Sequence, residues 1–419
     1  MTTIVCPYCF TSDRASRLAY RCLMARTGVR GAAPCASEPD GRWAAFTGAP
    51  AGGPAAQRGP CFDAPRGLRT GRGRAPCPAC GVGTPVRVCR NCHNDLPSDY
   101  CDQSSRIIAL IGPKSAGKST YVTVLAHELR NRVGREFNAA LASMGSATQQ
   151  RYRVMEDDLY HRLLLPGPTQ PAAMRFNDPL IFRLSTPRHG VGGLRGLRGL
   201  RGLRGLRDGS RHTALVFFDA AGEDLASAEA MDRYTAYLAA ADGVILLVDP
   251  LQLRTVREQL PELAGQLPPV ETAPEQIAAD LAAQLRGRRR GEGKGKVTTP
   301  LAVAITKSDV LRAWLPHGSA LGRPAVRTGA LDDSDRIAVD QDARALLDEW
   351  DGGVLYRQLD RDFAEFSLFC LSALGSPPPA ESPSDAPKAG PRPLRVEDPL
   401  LWLLGRRGLL PVRTARKGT

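Results

Sequence analysis

No stretch of this 419-residue chain stays hydrophobic for long. The longest apolar strings, Gly243 to Val248 and Leu301 to Ile305, fall far short of the ~20 residues that cross a bilayer. The opening MTTIVCPYCF lacks the basic and apolar regions of a secretory signal, so a soluble cytoplasmic protein is expected. Aromatic residues make up only 6% of the chain. Cysteine all but disappears after residue 101, with ten of the eleven within the first 101 residues. What is plentiful is glycine (42) and proline (34), concentrated in particular stretches, which implies long irregular insertions around a compact centre.

The net charge of +13 invites a nucleic-acid partner, but its distribution argues for solvated loops. Five arginines belong to the repeat GLRGLRGLRGLRGLR at 193–207, six basic residues lie between Arg286 and Lys296, and five follow Gly405. No aromatic residue interleaves these segments to stack bases, which weighs against nucleic acid as the partner. The GLR repeat has a three-residue glycine period without proline, which excludes collagen.

Three C-x-x-C pairs, Cys6/Cys9, Cys77/Cys80 and Cys89/Cys92, point to Zn2+ rather than to disulfides or a redox dithiol. Two pairings are open. Cys77, Cys80, Cys89 and Cys92 close one site by themselves, or Cys6/Cys9 joins Cys89/Cys92 while Cys22 joins Cys77/Cys80. Two complete sites need eight ligands, the eighth drawn from His93, Cys35, Cys61 or Cys101. Cys35 and Cys61 lie in an Ala/Gly/Pro/Arg-rich insertion, residues 23–76, and read as incidental.

The expected order is a cysteine-rich module (1–101), an α/β domain (106–375) and a Pro-rich linker (376–394). A terminal helix with a basic tail (395–419) follows. Within the domain, "RIIALI", "PLIFRL", "TALVFFD", "GVILLVDP", "LAVAITKSD" and "FSLFCLSAL" read as strands. Helical patterns cover 119–132, 148–165, 224–241, 274–287 and 340–364. Strands alternating with helices predict a doubly wound, mostly parallel sheet. The GLR repeat falls at the tip of an antiparallel hairpin, and a basic loop covers 286–299.

GPKSAGKS, residues 112–119, matches G-x-x-x-x-G-K-[ST] between a strand and a helix, the context of a phosphate-binding loop. Gly112, Pro113, Lys114, Ser115, Ala116, Gly117, Lys118, Ser119 and Thr120 then surround the phosphates. Lys118 reaches the β- and γ-phosphates, and Ser119 ligates Mg2+. "VFFDAAGED" brings Asp219 to the metal through water and the Gly222 N–H to a γ-phosphate. "AITKSD" ends a strand with Asp309, a carboxylate that accepts from guanine N1–H and its exocyclic amine. Adenine has no such donor pair and would leave the carboxylate unpaired. Thr306 opens that motif, Lys307 lies over the base plane, and the "SAL" of Ser372, Ala373 and Leu374 offers the Ala373 N–H to guanine O6. His127 and His161 read as ordinary helical surface residues. No Ser/His/Asp set or paired carboxylates with their own context suggest a second catalytic centre.

The set GPKSAGKS, DAAG, TKSD and SAL resembles the translation-factor-related class of P-loop GTPases. The cysteine-pair front end, "YLAAADGVILLVDP" and "VEDPLLWLL" are similar to bacterial GTPases of the double-GTPase group, associated with multi-gene conflict or signalling systems. The resemblance implies a molecular switch, with loops ordered by GTP and Mg2+ and relaxed after hydrolysis to GDP. It further implies a first-switch Thr offered to Mg2+ and the γ-phosphate between the first helix and the "PLIFRL" strand; Thr169 is the best candidate, with Thr148 as runner-up and more naturally a helix cap. It also implies protein partners such as a second GTPase or an activating protein. Three positions depart from the pattern. Thr306 stands where Asn is commoner. Glu223 follows Gly222 where many small GTPases carry Gln, and its repulsion of the γ-phosphate implies slow turnover. Lys114 replaces a frequent Gly and either stabilises transition-state charge, obstructs an arginine finger or is simply solvated at the surface. The alternatives are a nucleic-acid-associated GTPase and a GTP-responsive scaffold without hydrolysis.

Overall fold

The computed structural model describes residues 3–24, 34–63, 74–113, 115–166, 179–187, 210–219, 228–260, 267, 272–287, 295–325, 329–350, 353–379 and 381–414. Its centre is a seven-stranded mixed sheet. In chain order the strands are β1 (Ser104–Ile111), β2 (Ala140–Ser143), β3 (Leu180–Pro187), β4 (Ser210–Asp219), β5 (Gly243–Val248), β6 (Leu301–Ile305) and β7 (Phe366–Cys370). They lie side by side as β2-β3-β4-β1-β5-β6-β7. From β4 to β7 all neighbours are parallel, while β3 pairs antiparallel with β4 and β2 antiparallel with β3.

The apolar strings identified in the sequence become the central strands because both faces of a parallel sheet are covered. On β1, Ile107, Ala109 and Ile111 enter one core while Ile108 and Leu110 enter the other, as strand alternation requires. Helices α1 (Lys118–Arg130), α2 (Ser146–Tyr160) and α7 (Asp398–Arg406) line the second core. Helices α3 (Ala228–Ala240), α4 (Pro274–Gly287), α5 (Asp333–Glu349) and α6 (Gly353–Asp362) line the first.

Four differences from the sequence reading have physical reasons. The expected mostly parallel sheet carries a second antiparallel edge strand, because ALAS (140–143) has no β-branched residue to announce β2. The single helix expected over 340–364 is two. The first of them starts earlier, where the Asp332 side chain accepts from the Ser334 and Asp335 N–H groups. Thr148 is neither a cap nor a loop residue, since Gly145 caps α2 and the buried Thr148 hydroxyl accepts from Ile181 N–H at 3.2 Å. The stretch 376–394, expected as a linker, is pinned to the domain by backbone hydrogen bonds at both ends, Ala386 N–H to Leu163 O and Leu394 N–H to Ser372 O among them.

The front module folds around short antiparallel strands, with Ala19–Arg21 between Cys61–Asp63 and Arg87–Val88. It packs on the main domain through Phe10, and the Tyr100 hydroxyl donates to Val5 O at 2.7 Å. No helix among the described residues is long and apolar enough to cross a membrane.

Candidate nucleotide site and metal centres

Parallel pairing of β1 with β5, β5 with β6, and β6 with β7 brings their following loops to one sheet edge. That edge, beyond the carboxyl ends of the strands, is where open α/β sheets bind ligands. The loop after β1 carries 112–118. Gly117 caps α1 at φ 83°, and Ser115 also has positive φ, 61°. A Cβ on Gly112 would stand 3.1 Å from Leu247 O and 3.3 Å from the Ala116 Cβ, so a side chain here would have to push its neighbours by a few tenths of an ångström. The Lys118 ammonium, 7% exposed as a residue, donates to the carbonyls of Gly112 and Pro113, each at 2.9 Å. The loop backbone and its lysine thus form one preshaped cationic cradle.

Two strands away, β6 ends in Thr306, Lys307, Ser308 and Asp309. Thr306 is buried and its N–H donates to Val248 O at 2.9 Å, locking the motif to β5. Lys307 takes φ 52° and donates to Asp249 at 2.6 Å. The Asp249 carboxylate is fully buried and also accepts the Leu251 N–H at 3.0 Å. Sequence reading missed Asp249, which it took only as a strand end; the signal was an Asp directly before Pro250. Ser372, after β7, donates to Asp309 Oδ1 at 2.5 Å and accepts the Gly375 N–H at 2.7 Å. Ala373 and Leu374 lie on the same loop, both half-buried. Thr169, Gly222, Glu223 and Lys114 lie outside the described residues, as does the GLR repeat at 193–207. Asp219 ends β4, paired in register with Leu110 and two residues from Gly112 on the neighbouring strand.

The front module gathers two sets of four cysteines. Cys6, Cys9, Cys89 and Cys92 form one, and Cys22, Cys35, Cys77 and Cys80 the other. Sulfur separations are 3.7 Å (Cys6–Cys92), 3.6 Å (Cys9–Cys89), 3.6 Å (Cys22–Cys80) and 3.8 Å (Cys35–Cys77). Ligands 2.3 Å from one tetrahedral ion stand ~3.8 Å apart, so both sets fit Zn2+. Burial pushes the Cys6 thiol well up, while hydrogen bonds from Cys6, Cys89 and Cys92 hold Cys9 far below its ordinary value. Four crowded sulfurs share full thiolate charge only around a cation. In the second set, the Val82 N–H brings Cys80 down to about 7, near neutral pH.

Each C-x-x-C pair sits on the same turn. The residue after the second cysteine has positive φ (Phe10 59°, Gly81 70°, His93 54°) and donates back to the first cysteine's carbonyl.

Of the two open pairings the second is found, Cys6/Cys9 with Cys89/Cys92 and Cys22 with Cys77/Cys80. Two expectations are corrected. Cys35 is not incidental but the fourth sulfur of its set; it stands in a low-complexity insertion, and sequence spacing does not reveal that it meets Cys77. His93 and Cys61 surround Asp40, but Arg21 donates to that carboxylate at 3.1 Å and His93 at 2.8 Å. With a guanidinium already on the carboxylate, this is a buried ion-pair network. Cys101 joins neither set of four.

No family model matches the chain. The chain is 29% identical over 345 residues, 78% of its length and 81% of the relative's, to a Mycolicibacterium smegmatis protein with the provisional name ESX-1 scaffolding and assembly protein SaeC. Among solved structures it is similar to the GTP-bound Ski7 GTPase-like domain of S. cerevisiae, with 14% identity and TM-score 0.33 over 73% of this chain and 50% of that one. It is also similar to the Arl6 BBS3 small GTPase of Trypanosoma brucei, with 11% identity and TM-score 0.28 over 73% of this chain and 98% of that one.

Proposed function

We propose that this chain is a GTP-binding switch that hydrolyses GTP slowly with Mg2+ and signals its state to protein partners. The observation that carries the reading is the pairing of two loops on one sheet edge. One is a lysine-centred cradle after β1; the other is an Asp309 carboxylate aimed by Ser372 after β6 and β7. A cradle of backbone and ammonium suits a polyphosphate. A carboxylate fixed by a hydroxyl suits a base edge with two adjacent donors, which guanine has and adenine lacks.

In this reading residues 112–120 hold the phosphates, and Lys118 spans the β- and γ-phosphates. Ser119, Thr169 and Asp219 hold Mg2+, which supplies charge stabilisation at the transferring phosphoryl group. Thr306 and Lys307 frame the base, and Ala373 and Leu374 close its far side. The Gly222 N–H meets the γ-phosphate and Glu223 orients water at the cost of like-charge repulsion, which sets the slow rate. Lys114 tunes that charge. The module 1–101 carries two structural Zn2+ ions, and the domain 106–375 carries the switch.

A relative whose name carries scaffolding and assembly supports action through protein partners. A cytoplasmic place in a bacterial multi-component assembly, signalling or conflict system completes the proposal.

The test is fluorescent GTP against ATP binding on purified protein, with phosphate release and zinc content measured on the same sample. Guanine preference, slow phosphate release and two zinc ions per chain are expected. No zinc together with no guanine preference sinks the proposal. Guanine binding without phosphate release, even with Glu223→Gln, leaves a scaffold rather than an enzyme.

A further inference from the structure

The C-terminal stretch that follows the base loop returns to it. Ser372 N–H donates to Leu394 O at 3.0 Å and Leu394 N–H donates to Ser372 O at 2.8 Å, while Arg392 N–H donates to Leu374 O at 2.8 Å. Ser372 and Leu394 are thus opposed as in an antiparallel ladder. The sequence PRPLR fits this pairing closely. Arg392 and Leu394 supply N–H groups toward the loop, and Pro391 and Pro393 occupy the alternate positions, where no donor is used. Both backbone groups of Ser372 are therefore spent on the strap, and its hydroxyl is spent on Asp309 and Gly375.

Arg395 fastens the strap. It is 2% exposed, takes φ 53°, and its guanidinium donates to Asp335 and Asp398 at 2.8 Å each and to the carbonyls of Ala320 and Arg323. At the loop end the contact is tight. Gly375 has φ 83°, and a Cβ there would stand 2.2 Å from Arg392 O.

Resting on the guanine reading above, we propose that the strap 391–395, fastened by Arg395, is a positioning element for base specificity. It fixes Ser372, and Ser372 fixes the plane of the Asp309 carboxylate. A carboxylate so fixed accepts from both the ring N–H and the exocyclic amine of a purine; one left to rotate loses the second contact first. The strap therefore sets discrimination between guanine and hypoxanthine, which lacks the amine.

The experiment uses the full chain and fluorescent GDP, IDP and ADP. Wild type is expected to prefer GDP over IDP and to reject ADP. Gly375→Ala, which drives the loop off the strap, and Arg395→Lys are expected to narrow the GDP:IDP ratio about tenfold. IDP affinity should change little. Equal loss for GDP and IDP, or an unchanged ratio, overturns the strap proposal alone. A wild type without guanine preference overturns it together with the nucleotide reading. Hydrogen exchange on wild type covers the case in which the variants do not fold. Peptides spanning 392–395 should gain protection on adding GDP, and no gain overturns the proposal.

Discussion

The ring of Phe10 lies 5.7 Å from that of Phe218, edge to face at 82°. Phe10 closes the first cysteine turn; Phe218 is the penultimate residue of β4, one before Asp219. Phe10 also stands 5.1 Å from Tyr237, whose hydroxyl accepts from Leu110 N–H and donates toward the Ile108 and Phe218 carbonyls. The front module is thereby keyed into the sheet beside β1, the strand that leads to the loop 112–118. A non-glycine residue at φ 59° costs about 1 kcal/mol, and ring burial outweighs it.

Phe10→Ala is expected to destabilise the protein by about 3 kcal/mol. Denaturant unfolding followed by intrinsic fluorescence measures this. Separate unfolding of the module ahead of the sheet is expected in the variant. A loss under about 0.5 kcal/mol, the scale of a plain surface substitution, contradicts the packing role.

Cys35 and Cys101 make a matched pair for the metal sites. Cys35→Ser is expected to lower zinc content from two ions to one per chain after dialysis, whereas Cys101→Ser leaves two. Elemental analysis decides it. Two ions retained in Cys35→Ser would remove that sulfur from the second set.

Asp249 offers a test of the base side away from the nucleotide itself. Its carboxylate is fully buried and is bonded to Lys307 at 2.6 Å, so Asp249→Asn leaves the ammonium without a charged partner. Weakening by a lost charge-assisted bond is about 1.5–3 kcal/mol, or roughly 10–100-fold in guanine-nucleotide affinity. Titration with fluorescent GDP reads it. Unaltered affinity shows that the lysine needs no such support.

Acid stability should depend on Asp362, which ties α6 to α4. Burial raises the Asp362 carboxyl, but hydrogen bonds from Arg286 and Arg361 outweigh burial and hold it below its ordinary 3.8. The folded value is the depressed one. The contribution is therefore present above the unfolded value of about 3.9 and is lost as pH falls from there through the folded value. Asp362→Asn is expected to lower stability at pH 7 by about 1–2 kcal/mol and to flatten the pH dependence below 4. Parallel slopes for variant and wild type in acid unfolding would refute this.

Sequence alone determined the apolar central strands, the order of the four motifs and the existence of cysteine pairs. These are local patterns: runs that only a doubly covered sheet can bury, and short spacings that the backbone reads directly. Tertiary structure decided which sulfurs meet, because Cys35 meets Cys77 across 42 residues of chain, a contact that spacing does not encode. It also decided that Asp249 supports Lys307, that Phe10 joins the module to β4, and that residues 392–394 of the Pro-rich stretch pair with the loop after β7. Each of these depends on two segments distant in sequence sharing one buried volume or one backbone ladder. Proline and low complexity in those segments signal loops only until a partner strand takes up their remaining hydrogen-bonding groups.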